Sequence, residues 1–229
     1  MKVSKLLITF QEKTLVDIAF EIQTSLALVG QSGSGKSLTL KALLGMLPSQ
    51  MRHTLNYDAS YTLKAGKSVS FVPQNPFTAL SPLTKIKNQF FVSSKRKKEL
   101  LESVGLQEEL LERFPPELSG GQLQRIVIAM ALESSPKLLM LDEPTTALDP
   151  DTRVLILKLL KNLQREFGFK TLFVTHDMHA AAELCEDIYV IKNGKIVEHG
   201  KMSAILENPQ EIYTQTLINA SFAKRKFRT

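Results

Sequence analysis

Gly30-Gln31-Ser32-Gly33-Ser34-Gly35-Lys36-Ser37 is the stretch on which the fold turns. It follows an apolar run, Leu26 to Val29, and opens a helix-forming segment from about Lys36 to Met46. The spacing is G-x-x-x-x-G-K-[ST], and it stands where that pattern works, at a strand-to-helix turn. Glycines there let successive backbone N–H groups curl around phosphate oxygens, while the positive end of the following helix faces the same anion. Lys36 is placed to neutralise the β- and γ-phosphates of a nucleoside triphosphate, and Ser37 to set its hydroxyl on Mg²⁺. Gly30, Ser32, Gly33, Gly35 and Leu38 complete the candidate nucleotide-binding set here. A plain glycine-rich turn is the competing reading, and it gives no reason for lysine and serine directly after the last glycine.

Outward from this loop, strands alternate with helices. Leu15 to Ile22 alternates as a strand, Thr54 to Thr62 does so weakly, and Ser68 to Val72 is a short strand ending at Pro73. From about Asn75 to Lys137 the pattern reads as helical, punctuated by Pro115 and Pro116. The remainder reads strand Leu138–Leu141, helix Thr152–Phe167, strand Thr171–Thr175, helix Met178–Cys185 and strand Ile188–Ile191. Asn193-Gly194 then predicts a tight hairpin into Ile196-Val197. The fold class expected is α/β: a P-loop NTPase core with a mixed, mostly parallel sheet, an inserted helical subdomain and a small antiparallel β part. Residues 1–74 and 138–229 are expected to form the core and 75–137 the helical subdomain.

Composition narrows the class. The 229 residues are 43% hydrophobic and 23% charged, as in a globular chain rather than a disordered one. The longest apolar run, Ile126 to Leu132, is far short of the ~18 residues a membrane span requires. Leu6 to Phe10 is too short for a signal-peptide core. A single cysteine, Cys185, excludes a disulfide framework or a four-cysteine metal site within these residues. A cytosolic chain, recruited elsewhere only by a partner, is the expectation. Net charge is +6. Two acid-free basic stretches, Thr84–Lys98 and Ser221–Thr229, more than account for it. Contact with nucleic acid or an anionic membrane is one reading of them. Neither interleaves aromatics as single-strand binders do, so both read as a solvated helix face and a frayed terminus, and no nucleic-acid partner is expected.

A second set of chemical groups lies downstream. Leu138 to Leu141 runs into Asp142-Glu143-Pro144. Asp142 at the strand's end is placed to hold Mg²⁺, and Glu143 is the natural general base for an attacking water. Pro144 biases Glu143 out of the helical region, so its side chain can project away from the strand. Ser119-Gly120-Gly121-Gln122 reads as a capping box ahead of an amphipathic helix. Two glycines in a first turn are each unfavourable by about 1 kcal/mol, and capping does not explain them. Close approach of an anion to the backbone would.

Leu118-Ser119-Gly120-Gly121-Gln122, set between the phosphate loop and the Asp142-Glu143 strand, resembles the signature of ABC-transporter ATPase subunits. Gln74 resembles the Q-loop glutamine, Ala147-Leu148-Asp149 the D-loop, and His176 the switch histidine. His179 lies three residues on, but no third ligand suggests a metal pair. The resemblance implies a head-to-tail dimer with a second ATPase subunit, itself or a paralogue. ATP is then sandwiched by Lys36, Ser37, Asp142 and Glu143 of one chain and Ser119, Gly120, Gly121 and Gln122 of the other. Gln74 would sense Mg²⁺ and the γ-phosphate, His176 would orient the water, Asp149 would link the two sites, and Phe10 would stack on adenine.

Gln74-Asn75-Pro76, Leu80-Ser81-Pro82 and Ile86 resemble the segment after the Q-loop in peptide and nickel importer ATPases, where transmembrane permease subunits dock. Asn208-Pro209, Tyr213-Thr214 and Leu217 resemble that branch's C-terminal motif. The phosphate loop followed by Leu38-Thr39, then Leu44-Gly45-Met46-Leu47-Pro48, looks closest to the nickel type. An extracytoplasmic substrate-binding protein and a peripheral location on the cytoplasmic membrane face are implied with it. The alternative is a soluble, non-transport ATPase of the same family acting on nucleic acid or cofactor assembly. The span from Lys36 to Ser119 leaves no room for the coiled coil of chromosome-type relatives.

Overall fold

The structure, a computed structural model, describes residues 1–226, with side chains through Ser221. The basic side chains of Lys224, Arg225, Lys226 and Arg228 therefore lie outside the described residues. The chain forms two compact units, Met1–Lys64 with Lys170 onward, and Ala65–Phe169.

The first unit opens with β1 (Lys2–Phe10) and β2 (Lys13–Glu21), then β3 (Ser25–Val29), α1 (Lys36–Leu43) and β4 (Met51–Asp58). β1 lies between β2 and β4 in an antiparallel sheet. In β2 the buried residues Val16, Ile18 and Phe20 alternate with exposed ones, the mark of a strand covered on one face. All five residues of β3 are buried, as in a parallel strand packed on both faces. The weak strand expected at Thr54–Thr62 starts earlier and ends at Asp58, because its pairing with β1 sets its length. α1 stops short of Met46: Gly45 takes φ +68°, and the Gly45 and Met46 N–H groups turn back to Ala42 and Lys41.

The second unit carries β5 (Val69–Val72), α2 (Ser94–Ser103), α3 (Gly120–Ala131), β6 (Leu138–Asp142) and α4 (Pro150–Phe167). β5 and β6 pair in parallel with Val72 opposite Leu141. The helical reading of Asn75–Lys137 is only half right. Two α-helices form there, and the rest contains short 3₁₀ turns at Pro76–Thr78, Ile86–Asn88, Glu108–Glu112 and Pro115–Glu117. Proline lacks the donor a helix needs and restricts the residue before it, which accounts for the breaks at Pro76, Pro82 and Pro115-Pro116; the turns at Ile86–Asn88 and Glu108–Glu112 contain no proline. Four of the six cations in Thr84–Lys98 are paired internally: Lys85 and Lys87 with Glu112, Arg96 with Glu99, and Lys98 with Glu108.

Returning to the first unit, the chain adds β7 (Lys170–Thr175), α5 (Met178–Leu184), β8 (Asp187–Lys192), β9 (Lys195–Lys201), α6 (Met202–Glu207) and α7 (Ile212–Lys226). β7 and β8 flank β3 in parallel, and β9 pairs antiparallel with β8. Asn193 and Gly194 both have positive φ, +49° and +75°, and make the expected two-residue hairpin. This is the expected α/β class, mostly parallel with an antiparallel part.

Candidate functional site

In the first unit, β3 ends at Val29, and the Gly30 N–H donates to Thr175 O at 3.3 Å. A side chain is impossible at Gly30 without a shift, since a Cβ would sit 2.3 Å from the Ile191 carbonyl oxygen. The loop turns back on itself, and Lys36, 6% exposed, donates from Nζ to Gly30 O at 2.7 Å and Gln31 O at 3.0 Å. Two carbonyls thus fold the ammonium over the loop, where a triphosphate's negative charge would be met. The N-terminal turn of α1 contains no acidic residue to oppose an anion. Ser37, second in that helix, is exposed, and Leu38 behind it is half-buried. Ser32 and Gly33 form the exposed crest of the loop. The residues present therefore fit a phosphate chain with its metal.

The same unit places His176, exposed, just past β7. The turn behind it is fixed by Asp177, whose Oδ1 accepts from the His179 and Ala180 N–H groups at 2.9 and 3.2 Å. Among the described residues, no group of three or more His, Cys, Asp or Glu gathers as a metal site. Phe10 ends β1 opposite Lys13 and Met51, and is 38% exposed, enough to offer a ring face.

In the second unit, register decides the geometry. Gln74 lies two residues beyond Val72 and Glu143 two beyond Leu141, so both leave the paired strands at one edge. Gln74 Nε2 donates to Glu143 Oε2 at 3.4 Å, and Thr146 Oγ1 donates to the same oxygen at 3.1 Å. Two donors hold one carboxylate oxygen, fixing the orientation of the candidate base. Asp142, half-buried, ends β6 directly before it. Glu143 lies outside the right-handed helical region, as expected ahead of Pro144; its φ is +45°. Proline excludes the right-handed helical region, and the turn that follows takes the left-handed one, a conformation that is strained for glutamate.

The Ser119 capping box is present in full. Ser119 Oγ accepts from Gln122 N–H at 3.3 Å and Gln122 Oε1 accepts from Ser119 N–H at 3.0 Å. Gly121 has a packing reason of its own: a Cβ there would lie 2.8 Å from Thr152 Cγ2. At Gly120 a Cβ would meet only Leu148 Cδ2, at an ordinary 3.8 Å, so packing does not demand that glycine. Asp149 caps α4, accepting from Thr152 N–H at 2.9 Å, a bond that holds its carboxyl below the usual carboxylate range. Thr152 therefore touches both the signature turn and the Asp149 turn.

Several contributors carry little signal in sequence. Thr146 is a threonine in a turn until Glu143 is seen to use it. Gly194 donates its N–H to Ser34 O at 2.9 Å, supporting the phosphate loop from a hairpin remote in sequence. Tyr213, whose Oη accepts from Gln31 N–H at 2.9 Å, stands 182 residues away from it.

Comparison with known proteins agrees with the motifs. The ABC transporter family model matches residues 15–146. A peptidoglycan transport ATP-binding protein of Agrobacterium fabrum is 38% identical over 221 residues, covering 85% of this chain and 40% of that protein. The oligopeptide transport ATP-binding protein OppD of Bacillus subtilis is 36% identical, covering 85% of this chain and 62% of its own length. OppF of Lactococcus lactis is 36% identical, with 90% and 70% covered. The chain thus spans less than two thirds of the length of the first two of these relatives. Among solved structures, cbiO1 of Clostridium perfringens, part of the ABC transporter complex cbiONQ, superposes with a TM-score of 0.75 at 25% identity, covering 98% of this chain and 96% of that one. A dimeric ATP-binding cassette bound to ADP and Pi matches with a TM-score of 0.70 at 28% identity, covering 88% and 98%. On the strength of that match across more than half its length, and of the relatives that share nearly all of it, the chain belongs to the ABC transporter family.

Proposed function

We propose that this chain binds and hydrolyses ATP as the energising subunit of an importer, working as a head-to-tail pair with itself or a similar subunit. The observation that supports it most directly is the phosphate loop, in which Lys36 is folded over two loop carbonyls at the start of α1. Lys36 would meet the β- and γ-phosphates of the substrate, and the loop's N–H groups their oxygens. Mg²⁺, when bound, would offset phosphate charge, with Ser37 and Asp142 as its ligands and Gln74 within its reach. Glu143 would take the proton of the attacking water, oriented by the Gln74 and Thr146 donors, and His176 would align that water. Ser119 and the Gly120-Gly121 turn would serve the partner's nucleotide. Asp149 would connect the two sites, and Phe10 would stack on the base. The division into a core, 1–74 with 138–229, and a helical subdomain, 75–137, is part of the same proposal.

The importer assignment draws on two observations. The named relatives are transport ATP-binding proteins for peptidoglycan and oligopeptides. In the second unit, Phe77, Leu83 and Phe91, 54%, 88% and 90% exposed, leave apolar rings and an isobutyl group in water after the Q-loop. Such surface suits a permease subunit. No described helix is long and apolar enough to cross a membrane, so permease subunits would supply the channel. A peptide-like substrate follows from the relatives; a nickel or metal-chelate cargo rests on the resemblance of Leu38-Thr39 after the phosphate loop and of Leu44-Gly45-Met46-Leu47-Pro48. An extracytoplasmic binding protein and a cytoplasmic-face location belong to the proposal. The test is Glu143→Gln. It should keep MgATP binding, abolish steady-state turnover and accumulate a dimer, whereas retained turnover would remove Glu143 as the base. Co-purification with membrane subunits supports the importer role. Salt-sensitive binding of nucleic acid without them would support a non-transport ATPase instead.

A further inference from the structure

The Gly30–Gln31 peptide is held at both ends by side chains. Its C=O accepts Lys36 Nζ at 2.7 Å, and its N–H donates to Tyr213 Oη at 2.9 Å. A peptide unit is planar, so its two ends cannot reorient independently. Whatever fixes the N–H therefore also fixes the carbonyl on which the loop lysine rests. The next carbonyl, Gln31 O, takes the second Lys36 bond at 3.0 Å and the Ser34 N–H at 3.2 Å. Tyr213 itself is anchored. Thr214 beside it is fully buried, Leu217 and Ile218 on the same helix are buried, and Lys192 Nζ stands 4.8 Å from the tyrosine ring centroid. One more observation extends the pattern: further along α7, Ser221 Oγ accepts from Met178 N–H at 3.3 Å, two residues past His176.

We propose that Tyr213 is a positioning residue for the phosphate loop. It fixes the Gly30–Gln31 peptide plane, and through that plane the Lys36 ammonium, so that α7 sets part of the chain's affinity for nucleotide. The proposal rests on the nucleotide reading of that loop. Tyr213→Phe removes the hydroxyl and keeps the ring over which Lys192 lies. Measured on the full chain with MgATP, the variant should raise Kd and KM about fivefold, the effect of one hydrogen bond, with kcat unchanged. The Gln31 amide should exchange its hydrogen faster, and the thermal midpoint should move by no more than about 3 °C. Tyr213→Leu should reproduce the affinity loss. Lys36→Ala serves as the reference in the same titration. If Lys36→Ala loses binding and Tyr213→Phe does not, the positioning role is wrong. If Lys36→Ala also binds like the parent, the nucleotide reading fails and the positioning role with it. A drop in midpoint with unchanged Kd and KM would assign Tyr213 to stability alone.

Discussion

Gly194→Ala is the sharpest probe of how the phosphate loop is supported. Gly194 sits at the tip of the β8–β9 hairpin with φ +75°, where an alanine is disfavoured by about 1–2 kcal/mol. Its added Cβ would lie 2.1 Å from Leu15 O and 2.8 Å from Leu15 C, both backbone atoms of β2 that cannot rotate away. Relieving such contacts means displacing the hairpin, an overpacking penalty of about 1–3 kcal/mol. Gly194 also donates to Ser34 O and accepts from Asp17 N–H, at 2.9 and 2.8 Å, and both bonds would stretch with it. The expected loss is about 2–5 kcal/mol in urea unfolding at 25 °C, with weakened MgATP binding because Ser34 loses its donor. Gly45→Ala is the matched control: φ is +68°, but a Cβ would meet no described atom within 4 Å. That variant should lose only the dihedral part, about 1–2 kcal/mol, with nucleotide affinity unchanged. Equal losses in the two variants would show that the close approach to β2 is not felt, and the reasoning would be refuted.

Two further outcomes are expected. Ser119→Ala should destabilise by about 1 kcal/mol through the lost cap, and Ser119→Asp should restore that stability without restoring ATP turnover, because a carboxylate there repels phosphate. Recovery of both would make Ser119 a capping residue and nothing more. Burial holds the Glu133 carboxyl above its ordinary range, against the opposing pull of the Phe91 N–H. The folded state then binds a proton more readily than the unfolded chain, so this contribution to stability is present at low pH. It fades as pH rises through the folded value. Glu133→Gln should flatten that slope in unfolding curves taken upward from pH 4.5, the ordinary value; an unchanged slope would count against it.

Much of this molecule is legible in its sequence because its key groups lie within short segments. The phosphate loop is eight consecutive residues whose chemistry is local. The capping box of Ser119 and Gln122 spans one turn and forms as the spacing predicts. The hairpin at Asn193-Gly194 is dictated by two residues that tolerate positive φ. What sequence hides is long-range or conformational. Gly121 reads as an anion contact until Thr152 is found against it. Glu143 reads only as outside the helical region, because proline's restriction excludes one region without naming which of the others the chain takes, here one with positive φ. The segment after Gln74 reads as helix because its apolar residues recur, whereas the chain there forms short 3₁₀ turns, two of them opening at Pro76 and Pro115. Tyr213 reads as one letter of a C-terminal motif, and only the folded chain brings it to Gln31.

The in-step pairing of β5 and β6 also matters to anyone recombining this chain with its relatives. Because strand geometry advances about 3.3 Å per residue and alternates faces, deleting one residue from either partner would carry its glutamine or glutamate to the opposite side. Swaps whose junctions change the length of Val69–Val72 or Leu138–Asp142 by one residue should therefore yield dead hybrids even between close homologues. Crossover points placed in the loops beyond Glu143 or ahead of Val69 should be forgiving, so the four rungs from Val69–Leu138 to Val72–Leu141 are the part of the second unit to inherit whole.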